Sequence, residues 1–252
     1  MICVNADRSK IIQAIKTLNL TKKYKDTIAV DKLNLEIEQG EVFALLGVNG
    51  AGKTTAIKML CGLTEPTDGE GFVLGNSITQ NRGKIKRLIG VSPQETAVAP
   101  NLSVKENLQL LCGLYGFSKE KQQEKVRELT ERFRLQEIFL KKAKTLSGGW
   151  QRRVSIAMAL IGEPSVLFLD EPTLGLDVIA RRELWEIIRS LKGKATIILT
   201  THYLEEAEAL ADKIGVMKQG KLIAVGTARA LMERTGADNF EDAFVSVIKE
   251  GV

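Results

Sequence analysis

Cysteine and histidine are scarce in this chain of 252 residues, which contains three cysteines and a single histidine. Cys3, Cys61 and Cys112 have no paired spacing, and no histidine cluster lies near them in the sequence. These patterns argue against a disulfide framework and against a cysteine–histidine metal site. We expect reduced thiols, which fits a reducing compartment.

Long apolar runs and targeting signals are also missing. No stretch of about 18 apolar residues occurs, so the sequence predicts no membrane-spanning helix. The first residues, MICVNADRSK, include an Asp and an Arg where a secretory signal peptide would be apolar. Residues 1–13 have weak periodicity, and we expect a loose extension there. The chain is therefore expected to be cytosolic, or attached to a membrane through another protein.

The excess of positive charge is small, at +5 from 36 basic and 31 acidic residues. It is spread along the chain, so it does not distinguish nucleic acid, anionic lipid and nucleotide phosphate as partners. Hydrophobic residues make up 44% and charged residues 27% of the sequence. This composition and length fit one large α/β domain, or such a domain with a smaller inserted lobe.

Short strand-like runs rich in β-branched residues recur along most of the chain. They occupy residues 34–38, 41–46, 88–91, 166–169 and 195–200. Because helical patterns separate the later runs, we expect a largely parallel central sheet. Two further runs, at 214–217 and 222–225, flank a Lys-Gln-Gly-Lys segment and predict a tight hairpin.

The segment from about residue 100 to residue 144 has no strand-like run. Ser103 and Glu106 form a capping-box pattern, which predicts a helix that runs to Leu114. Ser118 is suited to begin a second, highly charged helix that runs to about Phe133. The sequence therefore predicts an all-helical insertion between strands of the sheet.

A glycine-rich loop follows the strand-like run at 41–46 and fits the P-loop pattern G-x-x-x-x-G-K-[ST]. Its glycines let backbone N–H groups surround an anion, and a helix predicted at 53–63 adds its positive end. We expect Lys53 to reach the β- and γ-phosphates of a nucleotide and the Thr54 hydroxyl to bind Mg²⁺. The candidate ATP-binding residues of this loop are Gly47, Asn49, Gly50, Ala51, Gly52, Lys53, Thr54 and Thr55.

Two carboxylates follow the apolar run at 166–169. The carboxyl ends of parallel strands meet at one edge of a sheet, so Asp170 and Glu171 are expected beside the P-loop. Asp170 would hold Mg²⁺, directly or through water. Glu171 would polarise the attacking water as general base.

The heptad Leu146-Ser147-Gly148-Gly149-Trp150-Gln151-Arg152 resembles LSGGQ, the signature sequence of ABC transporter ATPases. We expect Ser147 to cap a helix running to about residue 161, which leaves the amides of Gly148 and Gly149 free to meet an anion. The other motifs of that family follow in the family's order, and the resemblance covers about residues 14–228. The matching positions are Tyr24, the P-loop, Gln94, Asp170-Glu171-Pro172, Leu174-Gly-Leu-Asp177 and His202.

The resemblance implies a role for each matched residue. Tyr24 would stack on adenine. Gln94 would contact Mg²⁺ and water and face the membrane subunit, and His202 would contact the γ-phosphate. Asp177 would lie between two subunits, although it is equally suited to cap a helix. The residues expected to complete the nucleotide site of a partner chain are Ser147, Gly148, Gly149 and Asp177.

Three positions depart from the family pattern. Trp150 replaces the usual glutamine of the signature, Asn49 stands where proline is frequent, and Gly175 replaces the commoner alanine. None of these changes removes a catalytic group, so we expect an active ATPase.

The resemblance also implies an architecture and partners. The expected fold is α/β: a P-loop NTPase core with a largely parallel central sheet, an N-terminal antiparallel β portion and an inserted all-helical subdomain. Residues 1–252 would form one ABC ATPase domain, with a catalytic core at 14–94 and 146–228. The insertion would occupy about 95–145 and a C-terminal tail 229–252. The expected partners are a second ATPase subunit, in a homodimer, and an integral membrane permease, with no nucleic acid.

Such a subunit would lie peripherally on the cytoplasmic face of the cell membrane. The segment Asn239-Phe-Glu-Asp-Ala-Phe244 resembles the endings of ATPases in the drug- and sodium-export branch, but an ordinary amphipathic helix explains it equally well. The alternatives are a soluble ABC ATPase that remodels ribosomes or DNA, and a nucleotide-binding regulator without turnover. A soluble remodeller usually has two ATPase modules in one chain or a long coiled-coil insertion, whereas this sequence shows one module and no sustained heptads. The presence of Glu171 and His202 argues against a regulator without turnover.

Overall fold

The computed structural model describes residues 13–250, and within this range ten strands form two sheets flanked by nine α-helices. The expected loose extension at residues 1–13 falls almost entirely outside the described residues. Only Gln13 is described, and it begins a strand.

The smaller sheet is antiparallel, with strand order β2-β1-β4-β5. Its strands are β1 (Gln13–Tyr24), β2 (Thr27–Glu38), β4 (Asp68–Val73) and β5 (Asn76–Ser77). The N-terminal antiparallel portion is thus confirmed, although the sequence patterns located only the end of β2. Register shifts interrupt the pairing of β1 with β2 and break the alternation by which a strand is recognised in sequence.

The larger sheet has strand order β10-β9-β3-β8-β7-β6, and every neighbouring pair except β10 with β9 is parallel. This confirms the largely parallel central sheet. Its strands are β3 (Val42–Leu46), β6 (Ile89–Ser92), β7 (Val166–Asp170), β8 (Thr196–Thr201), β9 (Lys213–Lys218) and β10 (Lys221–Gly226).

The predicted hairpin joins β9 to β10. Gln219 and Gly220 form its two-residue loop with φ angles of 47° and 83°. Two successive positive φ angles are typical of a type I′ turn, whose twist matches that of the paired strands.

The helices of the core and tail are α1 (Lys53–Leu60), α2 (Arg82–Leu88), α5 (Gly148–Ala159), α6 (Val178–Arg189), α7 (Leu204–Leu210), α8 (Ala228–Thr235) and α9 (Phe240–Glu250). The predicted end of α1 at residue 63 is wrong. Gly62 has a φ of 68°, a conformation that ends an α-helix, and α1 stops at Leu60. The helix predicted to reach residue 161 likewise ends at Ala159.

Within residues 100–144 the structure contains helices and no strand, as predicted. These are α3 (Val104–Leu114) and α4 (Lys119–Arg132), followed by short 3₁₀ turns at Gln136–Ile138 and Ala143–Thr145. Both predicted starts are confirmed: Ser103 and Glu106 form a reciprocal capping box, and Ser118 accepts a hydrogen bond from Lys121 N.

The core lies on both faces of the parallel sheet. Successive side chains of β3 alternate between them: Val42, Ala44 and Leu46 pack with the helical insertion, and Phe43 and Leu45 pack towards the antiparallel sheet. A strand buried on both faces has a continuous apolar sequence. This arrangement holds β3, β7 and β8 side by side, so their carboxyl ends lie together.

The C-terminal tail packs on the parallel sheet. Helix α9 buries Phe240, Ala243 and Val247, and Lys218 Nζ donates a hydrogen bond to the carbonyl of Ile248 at 2.7 Å. Within residues 13–250, no helix combines the length and apolar character needed to cross a membrane.

Candidate functional site

A cleft of about 400 Å³ opens at the carboxyl ends of β3, β7 and β8. It brings together most of the residues predicted to bind and hydrolyse a nucleotide. Its lining residues are Ala29, Asn49, Gly50, Ala51, Gly52, Lys53, Thr54, Thr55, Gln94, Glu171, Leu174 and His202.

The loop between β3 and α1 passes so close to neighbouring backbone that two of its glycines are required. A Cβ atom at Gly47 would lie 2.4 Å from the carbonyl oxygen of Met217. At Gly52 it would lie 2.3 Å from that of Ala29, and Gly52 also has a φ of 102°. Because Gly52 has no side chain to cap α1, the first-turn N–H groups of this helix stay available for an anion.

Lys53 is 95% buried inside this loop. Its Nζ donates hydrogen bonds to the carbonyls of Gly47, at 2.7 Å, and Val48, at 3.3 Å. The same ammonium group lies 3.4 Å from Glu171 Oε1, in an ion pair whose two side chains are almost fully buried. The cation is therefore held at the floor of the cleft, beside the candidate base.

Three oxygen atoms meet at the end of β7. Asp170 Oδ1 accepts a hydrogen bond from Thr54 Oγ1 at 3.0 Å and another from Thr200 Oγ1 at 2.5 Å. Hydroxyl and carboxylate oxygens are ligands that Mg²⁺ prefers, and it commonly takes the rest of its shell from phosphate and water. No group of three or more His, Cys, Asp and Glu side chains suited to a metal occurs within residues 13–250. The oxygens of Thr54 and Asp170 are of the kind that Mg²⁺ binds together with nucleotide phosphates.

Glu171 is buried and has a strained backbone, with a φ of 49°. A non-glycine residue in this region costs of the order of 1–3 kcal/mol, and such strain clusters at functional sites. The N–H of Glu171 donates to Thr200 Oγ1 at 3.0 Å, and its Oε2 lies 2.8 Å from His202 Nδ1. Lys53 and His202 thus contact different oxygens of this carboxylate.

Gln94 lines the cleft two residues after β6, and a buried arginine fixes its backbone. The guanidinium of Arg152 donates to the carbonyls of Pro93, at 2.6 Å, and of Gln94. Burial lowers the pKa of Arg152, and the nearby carboxylates of Asp170, Glu206 and Glu171 act in the opposite direction. Arg152 links α5 to the Gln94 segment, a role that the sequence patterns did not indicate.

The residues predicted to act on a partner's nucleotide do not line the cleft. Ser147, Gly149 and Asp177 line a separate depression together with Trp150 and Arg153. The Arg153 guanidinium lies 4.7 Å from the Trp150 ring centroid. Residues that contact the nucleotide of a second chain must lie away from the cleft of their own chain, as these do. Their contact with a partner's nucleotide stays a prediction.

The capping expectations for this region have opposite outcomes. Ser147 occupies the N-cap of α5 but makes no side-chain capping hydrogen bond, so that expectation is wrong. Its side chain therefore leaves the first amides of α5 unpaired, and a Cβ at Gly148 would meet nothing within 4 Å. Asp177 does cap α6: its Oδ1 accepts from the N–H groups of Ile179 and Ala180, at 2.9 Å each.

Tyr24 does not line the cleft. It ends β1, its side chain is 46% exposed, and the Lys22 ammonium lies 5.0 Å from its ring centroid. Ala29, on the neighbouring strand, lines the cleft instead. Stacking of Tyr24 on adenine stays a prediction.

The sequence patterns missed one further buried acid, Glu206. Its Oε1 accepts hydrogen bonds from Thr173 Oγ1 at 2.8 Å and Trp185 Nε1 at 3.1 Å. Burial raises the pKa of Glu206, and the hydrogen bonds from Thr173 and Trp185 act against that rise. The adjacent Glu205 is exposed, and nothing in the sequence distinguishes the two glutamates.

Comparison with known families finds that residues 30–174 match the family described as "ABC transporter". The probable multidrug ABC transporter ATP-binding protein YbhF of Escherichia coli (strain K12) is 40% identical over 242 residues, 94% of this chain and 42% of that protein. The daunorubicin/doxorubicin resistance ATP-binding protein DrrA of Streptomyces peucetius is 41% identical over 227 residues, 90% of this chain and 69% of that protein. The chain thus spans less than half the length of the first relative and about two thirds of the second.

Two solved structures share the fold. One, described as "Structure of ATP binding subunit of ABC transporter", has a TM-score of 0.83 and 29% identity, covering 93% of this chain and 99% of that chain. The other is a dimeric post-hydrolysis state of the ATP-binding cassette MJ0796 bound to ADP and Pi. It has a TM-score of 0.77 and 27% identity, covering 84% of this chain and 98% of that chain. These likenesses confirm the expected α/β fold.

Proposed function

The chain belongs to the ABC transporter family, and we propose that it is the ATP-hydrolysing subunit of an exporter, working as a dimer with a separate membrane subunit. The observation that carries the proposal is the cleft, where a P-loop lysine, the Glu171 carboxylate and a histidine converge, and where Asp170 accepts a hydrogen bond from the lining residue Thr54. Export is favoured because DrrA is described as a drug-resistance protein. The Nod factor export ATP-binding protein I of Burkholderia thailandensis, 43% identical over 223 residues, is described as an export protein.

In this proposal the triphosphate of ATP lies on the loop from Gly47 to Thr55. Amides of the loop and of the first turn of α1 donate to it, and the Lys53 ammonium balances the charge of its β- and γ-phosphates. Thr54, Asp170 and Gln94 would hold Mg²⁺. When bound, Mg²⁺ neutralises charge that develops on the phosphate oxygens. Tyr24, exposed at the end of β1, would stack on the adenine.

Glu171 is proposed to accept a proton from the attacking water. Its carboxylate lies at the floor of the cleft, and His202 Nδ1, when protonated, donates to Oε2 and orients the carboxylate. The other ring nitrogen, Nε2, would donate to a γ-phosphate oxygen when it also carries a proton, that is, in the imidazolium form of the ring. Most of the rate enhancement would come from positioning and charge stabilisation by Lys53 and the surrounding amides.

A second chain would complete each site with Ser147, Gly148, Gly149 and Asp177. Two features support this division: these residues lie apart from the cleft, and the similar MJ0796 cassette is described as a dimer. The γ-phosphate would then lie between the positive ends of α1 and the partner's α5. Hydrolysis and phosphate release remove that link, and the dimer opens.

The membrane subunit is proposed to dock in an apolar groove between the catalytic core and the helical insertion. Val91, Leu111, Tyr115 and Met158 line this groove together with Leu63, which is 64% exposed. An exposed concave apolar surface of this kind fits the apolar face of a helix. Docking there would hold the chain peripherally at the cytoplasmic face of the membrane, close to the Gln94 segment.

The test is co-purification. A tagged Glu171→Gln chain is isolated with Mg-ATP from gently solubilised cells, and the proteins bound to it are identified. We expect a polytopic membrane protein in near-equal amount, and its loss when Leu63→Glu is added to the groove. Ribosomal subunits or DNA-repair factors without a membrane protein would overturn the transporter assignment in favour of a soluble remodeller.

A further inference from the structure

A buried carboxyl group behind the cleft connects three elements that surround the candidate base. Glu206 lies in the first turn of α7 and is fully buried. Its Oε1 accepts hydrogen bonds from Thr173 Oγ1 at 2.8 Å and from Trp185 Nε1 at 3.1 Å. Thr173 belongs to the turn after β7, and Trp185 lies on α6. One oxygen atom therefore joins α6 and α7 to the turn that carries Glu171.

This turn needs support because its backbone is strained. Glu171 has a φ of 49°, a conformation that a non-glycine residue keeps only when its surroundings over-determine it. Upstream, the N–H of Glu171 is held by Thr200 Oγ1 at 3.0 Å. Downstream, Thr173 is fully buried and its hydroxyl donates to Glu206. Side chains thus hold the turn on both sides of Glu171.

The same carboxyl group is tied to the histidine that contacts Glu171. His202 lies at the end of β8 with Nδ1 2.8 Å from Glu171 Oε2, and Glu206 follows four residues later on α7. The segment that bears His202 and the turn that bears Glu171 are therefore joined twice, once in the cleft and once behind it through Thr173.

From these contacts we propose that Glu206 is a positioning residue for ATP hydrolysis, which holds the Glu171 turn and the His202 segment in fixed relation without touching the nucleotide. The inference rests on the proposed role of Glu171. The contacts that hold the turn use Glu206 as a hydrogen-bond acceptor, since Thr173 and Trp185 are both neutral donors to Oε1.

The test measures steady-state ATP hydrolysis by the full chain with Mg²⁺. We expect Glu206→Leu to lower kcat about 10- to 100-fold with little change in KM for ATP, because misplacing a reacting group by about 1 Å has this effect. Glu206→Gln keeps an oxygen acceptor at the same place and is expected to retain near wild-type kcat. Glu205→Gln, on the exposed neighbour in the same helical turn, is the matched control.

A second variant protects the test against misfolding. Thr173→Val removes the hydroxyl donor and keeps the side-chain volume, and it is expected to lower kcat in the same direction. The double variant Thr173→Val/Glu206→Leu should be no slower than Glu206→Leu, because both changes break one interaction. Binding of a non-hydrolysable ATP analogue counts the competent sites, and kcat is expressed per site.

Wild-type kcat in Glu206→Leu overturns the inference, and so does an equal loss in the Gln and Leu variants. A deficit that disappears when rates are expressed per binding site shows that Glu206 only stabilises the fold, which also overturns it. Glu171→Gln is measured in parallel. If it hydrolyses at the wild-type rate, the proposed role of Glu171 fails. If it is inactive while Glu206→Leu is unaffected, the inference about Glu206 alone fails.

Discussion

At the scale of single residues, Lys53 and Glu171 form a buried ion pair on the surface that a triphosphate would occupy. In the proposed function, a phosphate oxygen would compete with the Glu171 carboxylate for the same ammonium group. Nucleotide binding would therefore draw Lys53 away from Glu171 and leave the carboxylate to His202 and water. The pair explains how an ammonium and a carboxylate are both buried in the cleft, since each charge balances the other.

We predict that Glu171→Gln keeps ATP binding and loses turnover. The amide cannot accept the proton of water, and general base catalysis contributes about 10²- to 10⁴-fold. Affinity for ATP should be equal or higher, because Lys53 loses its competing carboxylate. Equilibrium binding and phosphate release measure the two effects, and turnover at the wild-type rate would mean that another group is the base.

In contrast to Glu171→Gln, the variant Lys53→Ala should lose affinity for ATP. Hydrogen bonds to charged groups contribute about 1.5–3 kcal/mol, so binding of ATP should weaken by roughly 10- to 150-fold. Lys58→Ala is the control, because Lys58 lies on the same helix and is exposed. Unchanged ATP affinity in Lys53→Ala would place the phosphates elsewhere.

At the scale of secondary-structure elements, the site depends on how helix ends are capped. The first turn of α1 follows a glycine, and that of α5 follows a serine whose side chain makes no capping bond. Both ends leave N–H groups for an anion. Helix α6 differs, because Asp177 occupies the same position and uses its carboxylate to cap the helix.

Asp177→Ala is therefore predicted to destabilise the fold by about 1 kcal/mol, the usual effect of losing an N-cap. In a chain of this size the thermal midpoint should fall by about 2–4 °C. Asp177→Asn, which keeps a capping oxygen, should retain the midpoint. Equal stability of the Ala variant and the wild type would show that the cap contributes nothing. If Asp177→Asn keeps the thermal midpoint but loses turnover, Asp177 has a role in hydrolysis that is distinct from capping α6.

At the scale of the whole molecule, the cleft and the depression beside Gly149 lie apart in one chain, and the proposed function completes each site with a second chain. This division predicts that two inactive variants complement each other. Glu171→Gln disables the cleft of its own chain, and Gly148→Asp places a negative charge on the surface offered to the partner's phosphate. Gly148 suits this change, because a Cβ there meets no atom within 4 Å.

Each variant alone should be inactive, and their mixture should regain activity. Random pairing makes half of the dimers mixed, each with one intact site, so about a quarter of wild-type turnover is expected for independent sites. Gly148→Ala, which adds bulk without charge, is the control for Gly148→Asp. Mixed dimers that form but show no recovery would contradict action between chains.

Contiguous motifs were readable in the sequence without structural information. The P-loop, the strand ending in Asp170 and Glu171, and the capping box at Ser103 depend on residues a few positions apart. Backbone geometry relates such neighbours directly, and the rule that carboxyl ends of parallel strands meet then placed Glu171 beside Lys53. Strand β1 was not predicted, because bulges break the alternation of apolar and polar residues by which a strand is recognised.

Where two residues of the same type are adjacent in sequence, only the tertiary structure shows which of them contacts the segments around the cleft. Arg152 holds the carbonyls of Pro93 and Gln94, whereas Arg153 pairs with Glu183. Glu206 is buried, and its neighbour Glu205 is exposed. The sequence by itself determined the family, the parallel core and the chemical groups of the cleft, because local motifs encode them. The packing partners of α5 and α7 decided the rest, because contacts between residues distant in the chain exist only after folding.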